Sequence, residues 1–270
     1  MDKLQITPIS HKGQQYILVL IDNYNHFNQI YMMEKKSNSE PYIEAYLNEI
    51  KDKLNITLEF LHTDCGGEFS SKIFLPKLKC QGICLEQGPP DSPQTNDVAK
   101  WFNQAQLNKI RCILGQSNIP IKYLDEAANH ASVLLNHLPH RFLDLNTPSS
   151  FLEKDNCSIE PRISIQRFIP FGMKVLVKKL KAETKIDKAG ETFKALTFEK
   201  YSDRLRLLDR DTGRICISCD YSVSNKQVKI ELRKPESILT QDSSQTMKLT
   251  IPKHHSTTTL PTENSVKLKE

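Results

Sequence analysis

Hydrophobic spacing divides the chain into two differently patterned regions. Tyr16-Ile-Leu-Val-Leu-Ile21 is an unbroken apolar run of strand length, which predicts a central strand covered on both faces. Asp22–Asn25 turns the chain, and Phe27–Met33 carries enough large apolar groups to return as a neighbouring strand. From Glu40 the period lengthens: Ile43, Tyr46, Leu47, Ile50 and Leu54 recur at three and four residues among polar ones, the mark of an amphipathic helix. Residues Ile56–His62 predict a short strand feeding Thr63-Asp-Cys-Gly-Gly67, which leaves Asp64 at a carboxyl edge, where α/β sheets carry chemistry. Three prolines within Gly88–Pro93 forbid a ladder or a helix interior. Beyond them Val98, Phe102, Ala105, Ile110, Ile113 and Leu114 predict a helix over Asn96–Leu114, with Gly115 as its stop. A second helix follows, striped by Ala127, Ala131, Leu134, Leu135 and Leu138 and ended by Pro139. Strands and helices in this order predict an α/β layered domain over residues 1–150.

Residues 165–232 read differently. Short alternating runs at Met173–Val177, Arg204–Leu208, Ile215–Cys219 and Val228–Leu232, broken by turns such as Asp209–Gly213, predict a small β domain. Over 235–270 large aromatics vanish and 12 of 36 residues are Ser or Thr, which predicts a disordered tail.

Composition narrows the class. The longest apolar run is too short to cross a bilayer, and no secretory leader opens the chain, so neither a membrane nor a secreted protein is expected. Seven cysteines, an odd and scattered set, predict reduced thiols in cytosol or nucleus. Cys216-Ile-Ser-Cys219 has metal-ligand spacing but no second pair, so it reads as strand. A net charge of +5 permits an acidic partner without requiring one.

The motifs add what composition cannot. Tyr16–Tyr24, His62-Thr-Asp-Cys-Gly-Gly-Glu-Phe69, Ser92-Pro-Gln-Thr-Asn-Asp-Val-Ala-Lys-Trp-Phe-Asn103, Leu135-Asn-His-Leu-Pro139 and Thr147-Pro148 together resemble the integrases of Copia-type LTR retrotransposons. Pro170-Phe-Gly172, Asp211-Thr-Gly213 and Ile217–Asp220 resemble the segment that follows such cores. The resemblance covers about residues 2–231 and implies a ribonuclease H-like (retroviral integrase) core, a small β-rich domain and a disordered tail. It also implies DNA integration by metal-dependent phosphodiester strand transfer, with Mg²⁺ or Mn²⁺ as cofactor. The implied partners are DNA (element ends and target) and RNA, with oligomerisation, in nucleus or cytoplasm.

Such chemistry uses two divalent ions about 3.5–4 Å apart, held by hard carboxylate oxygens. The family supplies an Asp from the first strand, an Asp before the Gly-Gly turn and a Glu from the following helix. Asp64 matches the second. Asp2 is placed at the first by its offset from the Tyr16 strand, with Asp22 as the alternative in a strand-end structural role. The third position is Lys100, with 35 residues between it and Asp64, inside an otherwise kept Asn-x-Val-Ala-x-x-x-Asn frame. A carboxylate attracts a unit charge at 4 Å by about 4 kcal/mol at an effective dielectric near 20, and an ammonium reverses that sign. The metal site of Asp2 and Asp64 is therefore expected to be incomplete and the chain inactive as a polynucleotidyl transferase. The chain also lacks counterparts of the family's upstream zinc-binding region and of the start of the first strand, so Asp2 is expected on a fraying end.

Weaker candidates remain. His62 reads as a strand-end hydrogen bonder or a metal ligand, and Trp101 as a surface group or a base stacker. Lys174, Lys178, Lys179, Lys181, Lys185 and Lys188 read as a solvated face or, in this family, as phosphate contacts. Two readings from other classes stand beside the decayed integrase: a domesticated nucleic-acid-binding module without catalysis, and a structural fragment with no nucleic-acid role.

The departures Asn25, Asp97, Lys100, Trp101 and Cys219 from the family's Ser, Gly, Glu, Arg and Arg can each arise from a single G·C to A·T transition. Decay of a silent element copy through cytosine deamination is the hypothesis that unites them. Sequencing related intact copies tests it: codons 25, 97, 100, 101 and 219 should differ mainly by such transitions, and as many transversions would remove the hypothesis.

Overall fold

Strand β2 (Tyr16–Ile21) owes its burial to its alternation. Leu18 and Leu20 pack with Ile43, Leu47 and Ile50, whereas Ile17 and Val19 pack on the opposite face with Phe102, Ala127 and Ala131. Each of the Leu, Ile, Val and Phe side chains among these contributes about 1.5–3 kcal/mol by leaving water. A computed structural model describes residues 1–54, 57–63, 74–88, 97–154, 168–178, 190–199, 202 and 204–223. Strands β1 (Asp2–Gln5) and β3 (Asn28–Met33) flank β2 in antiparallel register, with Asp2 opposite Val19 and Asn28 opposite Ile21.

A separate parallel pair, β4 (Phe60–Thr63) and β5 (Cys84–Gln87), is connected through helix α2 (Phe74–Cys80). The Met1 nitrogen donates to the His62 carbonyl at 2.6 Å, which sets β1 beside β4. The spatial order is thus β3-β2-β1-β4-β5, the ribonuclease H-like arrangement that the motifs imply. Asp2 does not fray. It is paired to β2 on one side, and its neighbour Met1 is bonded to β4 on the other. Strand β1, α2 and β5 are too short for hydrophobic periodicity to register.

Helix α1 (Glu40–Leu54) covers one face of the sheet; α3 (Asp97–Ser117) and α4 (Leu124–His137) cover the other, and α5 (Pro148–Lys154) follows. Helix α3 runs through Gly115, the expected stop, and ends two residues later. Asn118 takes the left-handed conformation there (φ 51°), and the Lys194 ammonium donates to the Ser117 and Asn118 carbonyls at 3.1 and 2.8 Å. A cation on the last carbonyls complements the helix dipole, and it arrives from a distant strand that helix periodicity cannot reveal. Asn136, within Leu135–Pro139, fastens α4 to β3: it accepts from the Asn28 amide at 2.9 Å and donates to the Asn28 carbonyl at 2.9 Å.

The second region is an antiparallel sheet ordered β10-β6-β7-β8-β9. Its strands are β6 (Lys174–Lys178), β7 (Gly190–Phe198), β8 (Leu205–Leu208), β9 (Ile215–Ser218) and β10 (Tyr221–Val223). Sequence periodicity misses β7, whose Ala195–Phe198 end is buried on both faces. The expected strand at 228–232 and the tail at 235–270 lie outside the described residues. Among the described residues Cys80, Cys84, Cys112, Cys216 and Cys219 are unbridged and exposed.

Residues Met1–Asn225 form one compact unit, so the sheet packs directly on the α/β core. Leu196, Leu208 and Phe171 join the cluster built on Phe102, Ala127 and Ala128. Gly172 explains Pro170–Gly172: its φ is +82°, and a Cβ would lie 2.6 Å from that of Ser117. At the centre of the junction lies Glu126, fully buried. Arg206 of β8 donates to both of its oxygens, at 2.7 and 2.9 Å, and Lys12 of the β1–β2 turn donates at 2.8 Å. Burial by itself raises the Glu126 carboxyl, but Arg206 and then Lys12 outweigh it, holding the group below its ordinary 4.5.

Glu126→Gln removes the carboxylate that Arg206 and Lys12 share, leaving them Glu199 and Asp125, and should lower unfolding stability by about 1.5–3 kcal/mol in guanidinium titrations. Because the folded-state value is depressed, the carboxylate's contribution is present above pH ~4.5 and is lost as pH falls through that lower value. A loss under about 1 kcal/mol would show that the junction does not depend on this charge.

Candidate functional site

The site is built where β1 meets the first turns of α3. Asp2 is half-buried; its Oδ1 accepts from the Lys3 amide at 2.7 Å and its Oδ2 from Asn103 Nδ2 at 2.8 Å. That second bond fixes the start of α3 over the sheet edge, since Ala99, Phe102, Asn103 and Gln106 form the helix's buried side. Gln106 Nε2, bonded to the Ala128 carbonyl at 2.7 Å, holds the next turn to α4. Lys100 is exposed and precedes Asn103 by three residues, which places it on a neighbouring row about 4.5 Å further along the axis.

Asp22 stands elsewhere. Exposed at the end of β2, it accepts from the Tyr24 amide at 3.0 Å and closes the turn to β3. Asp64 lies outside the described residues; Thr63, before it, ends β4 opposite Gln87. His62 Nδ1 lies 3.6 Å from a Glu86 carboxylate oxygen, a contact between strands β4 and β5.

The described residues alone do not make up a two-metal centre. Among them Asp2 offers one carboxylate, and position 100 offers an ammonium where a hard cation requires oxygen. Among the described residues one other group gathers metal-ligating atoms, His11, Asp125 and Glu126, within 4.8 Å of one another. Lys12 sits 3.0 Å from Asp125 and 2.8 Å from Glu126, so a protein cation already occupies the position between the carboxylates. That cluster belongs to the junction. Sequence reading passed over it because Lys12 and Arg206 are 194 positions apart.

The basic face of the second sheet is broader than the lysine run suggests. Lys174 is exposed at the start of β6 and pairs in register with Lys194 of β7. Burial, then the nearby Arg210 and Lys174 charges, pull the Lys194 ammonium below its ordinary value. Arg210, in the exposed turn before Gly213, is therefore part of the same positive field. Lys178 ends β6, while Lys179, Lys181, Lys185 and Lys188 lie outside the described residues.

No family model matches the chain. It is 24% identical over 176 residues to the retrovirus-related Pol polyprotein from transposon TNT 1-94 of Nicotiana tabacum, covering 65% of this chain and 13% of that one. The Pol polyproteins from transposons RE1 and RE2 of Arabidopsis thaliana are 23% and 22% identical over 140 residues. Those matches cover 52% of this chain and 9% and 10% of theirs, so the chain spans about a tenth of the length of these relatives. Among solved structures, the HTLV-2 integrase catalytic core in complex with magnesium (trimeric form) aligns with TM-score 0.42 and 21% identity, over 54% of this chain and 89% of that one. The BIV integrase catalytic core aligns with TM-score 0.43 and 20% identity, over 58% and 93%. A chain of the simian T-cell lymphotropic virus intasome in complex with PP2A regulatory subunit B56 gamma aligns with TM-score 0.46 and 15% identity, over 82% and 73%. The chain is similar to part of these retrotransposon Pol polyproteins, in agreement with the resemblance read from its motifs. No helix among the described residues is long and apolar enough to cross a membrane.

Proposed function

We propose that this integrase-like core binds nucleic acid through its second sheet and does not carry out metal-dependent strand transfer. The observation that supports the second half is the Asn103–Asp2 hydrogen bond at 2.8 Å. It ties α3 to β1, which supports reading the motif position that carries the third acid in the family as presented at the sheet edge. That position is Lys100. A cation next to a carboxylate site opposes each divalent ion by about the several kcal/mol that a carboxylate would have contributed. The defect thus lies in the charge at one position, with the helix that presents it intact.

Binding rests on the exposed cations Lys174 and Arg210, which lie close enough to the buried Lys194 to lower its ammonium, extended in sequence by Lys178, Lys179 and Lys181. Contacts of this kind go to phosphates, carry little sequence preference and release counterions. The Glu126 junction gives such a surface a fixed place on the core. DNA is the expected ligand, because a duplex presents a dense row of phosphates to such a surface.

Affinity for duplex DNA measured across a salt series tests this reading. Log affinity should fall linearly with log salt, and replacing Lys174 and Arg210 together by Ala should reduce the slope by up to about two. An unchanged slope would show that these cations face solvent only.

A further inference from the structure

Beside the first turn of α3, three segments bring aromatic rings together at the surface. His26 comes from the β2–β3 turn, Trp101 from α3, and His140 and Phe142 from the loop after α4. His26 and His140 stack at 4.6 Å with planes 28° apart. Trp101 meets His140 edge-on at 4.8 Å, and Phe142 lies 5.7 Å from His140 and 6.3 Å from His26. The rings are not core: Phe142 is 78% exposed and Trp101 47% exposed. His26 holds a left-handed backbone (φ 57°), a conformation costly for a side chain without local compensation.

The chemistry of the cluster selects its occupant. Burial lowers the His26 imidazole despite the raising effect of Asp22; burial and then His26 lower that of His140, which favours the neutral ring in both. Their Nδ1 atoms are shielded and have no hydrogen-bond partner among the described residues. Exposed cations adjoin the aromatics in sequence, Arg141 before Phe142 and Lys100 before Trp101. Neutral π faces rimmed by cations are the pattern that receives a nucleotide, the base on the ring and the phosphate on the cation. A duplex hides its base faces, so only an unpaired strand can use them. Asp22 and Asp144 are exposed in the same segments, which limits the number of phosphates the site can engage.

We propose that Trp101, His140 and Phe142 form a stacking platform for unpaired nucleotides of single-stranded nucleic acid, distinct from the phosphate-binding face of the second sheet. This rests on the nucleic-acid-binding reading above and specifies a second ligand class for it.

Trp101 is the sole tryptophan, so intrinsic fluorescence reports from the platform itself. The full chain is titrated with oligo(dT) of about 12 nucleotides, with inorganic polyphosphate and with a duplex. Oligo(dT) should quench Trp101 emission while polyphosphate leaves it unchanged. Phe142→Ala, at a solvent-facing ring, should weaken oligo(dT) binding at least about fivefold and leave duplex affinity as it was. Lys174→Ala should show the reverse preference. Duplex binding with no quenching by oligo(dT), or an equal loss for both ligands in Phe142→Ala, would overturn the platform alone. Failure to bind either nucleic acid would overturn the binding reading with it. If Phe142→Ala turns a sedimenting dimer into a monomer at unchanged oligo(dT) affinity, the patch joins two copies and the proposal falls.

Discussion

The architecture turns on one buried carboxylate. Glu126 is inaccessible to water and receives Arg206 from the second sheet and Lys12 from the β1–β2 turn. An uncompensated carboxylate in such a place is costly, and two cations with close hydrogen bonds are what make its ionised form tolerable. Arg206 also pairs with Glu199 at 3.0 Å, so the network runs on into the second sheet. The core and the sheet are therefore coupled by charge as well as by the apolar cluster that Leu196, Leu208 and Phe171 share with α3 and α4.

That coupling fixes α3 at both ends. Lys194 caps its last carbonyls, Gly172 packs against Ser117, and Asn103 ties its first turns to Asp2. A helix held this way has little freedom to rotate an unsuitable side chain away from the sheet edge. The chemical consequence of Lys100 follows from position and charge together. The neighbouring surface differs in kind: aromatic rings crowd the same helix start, whereas the exposed cations of the second sheet gather beyond the helix's other end.

The core was legible where burial imposes a period. The unbroken apolar run Tyr16–Ile21 predicts a strand covered on both faces, and the three-and-four spacing of Ile43 to Ile50 predicts the helix above it, as the structure has them. Gly115 misled because a glycine marks a stop only where its conformation is needed; the left-handed residue here is Asn118. Strand β7 escaped because its polar first half carries no apolar alternation, and β1, α2 and β5 because four to seven residues are too few for a period. Of the site, Asp2 and Lys100 were located by motif offset and lie on adjoining elements, whereas Asp64 falls outside the described residues. The Glu126 junction and the His26–His140 stack join residues more than 75 positions apart, and no local pattern encodes them.

The central claim is that charge at position 100 leaves this core without strand-transfer chemistry. The chain is incubated with labelled element-end oligonucleotides and a target duplex, in Mg²⁺ or Mn²⁺ and in a metal-free control. Product from the unmodified chain should not exceed the control, and Lys100→Glu alone should recover little, because Asp97 and Trp101 still alter the same helix turn. Robust metal-dependent transfer by the unmodified chain would contradict the account, and the assignment of Lys100 to the third acid's position would then be wrong.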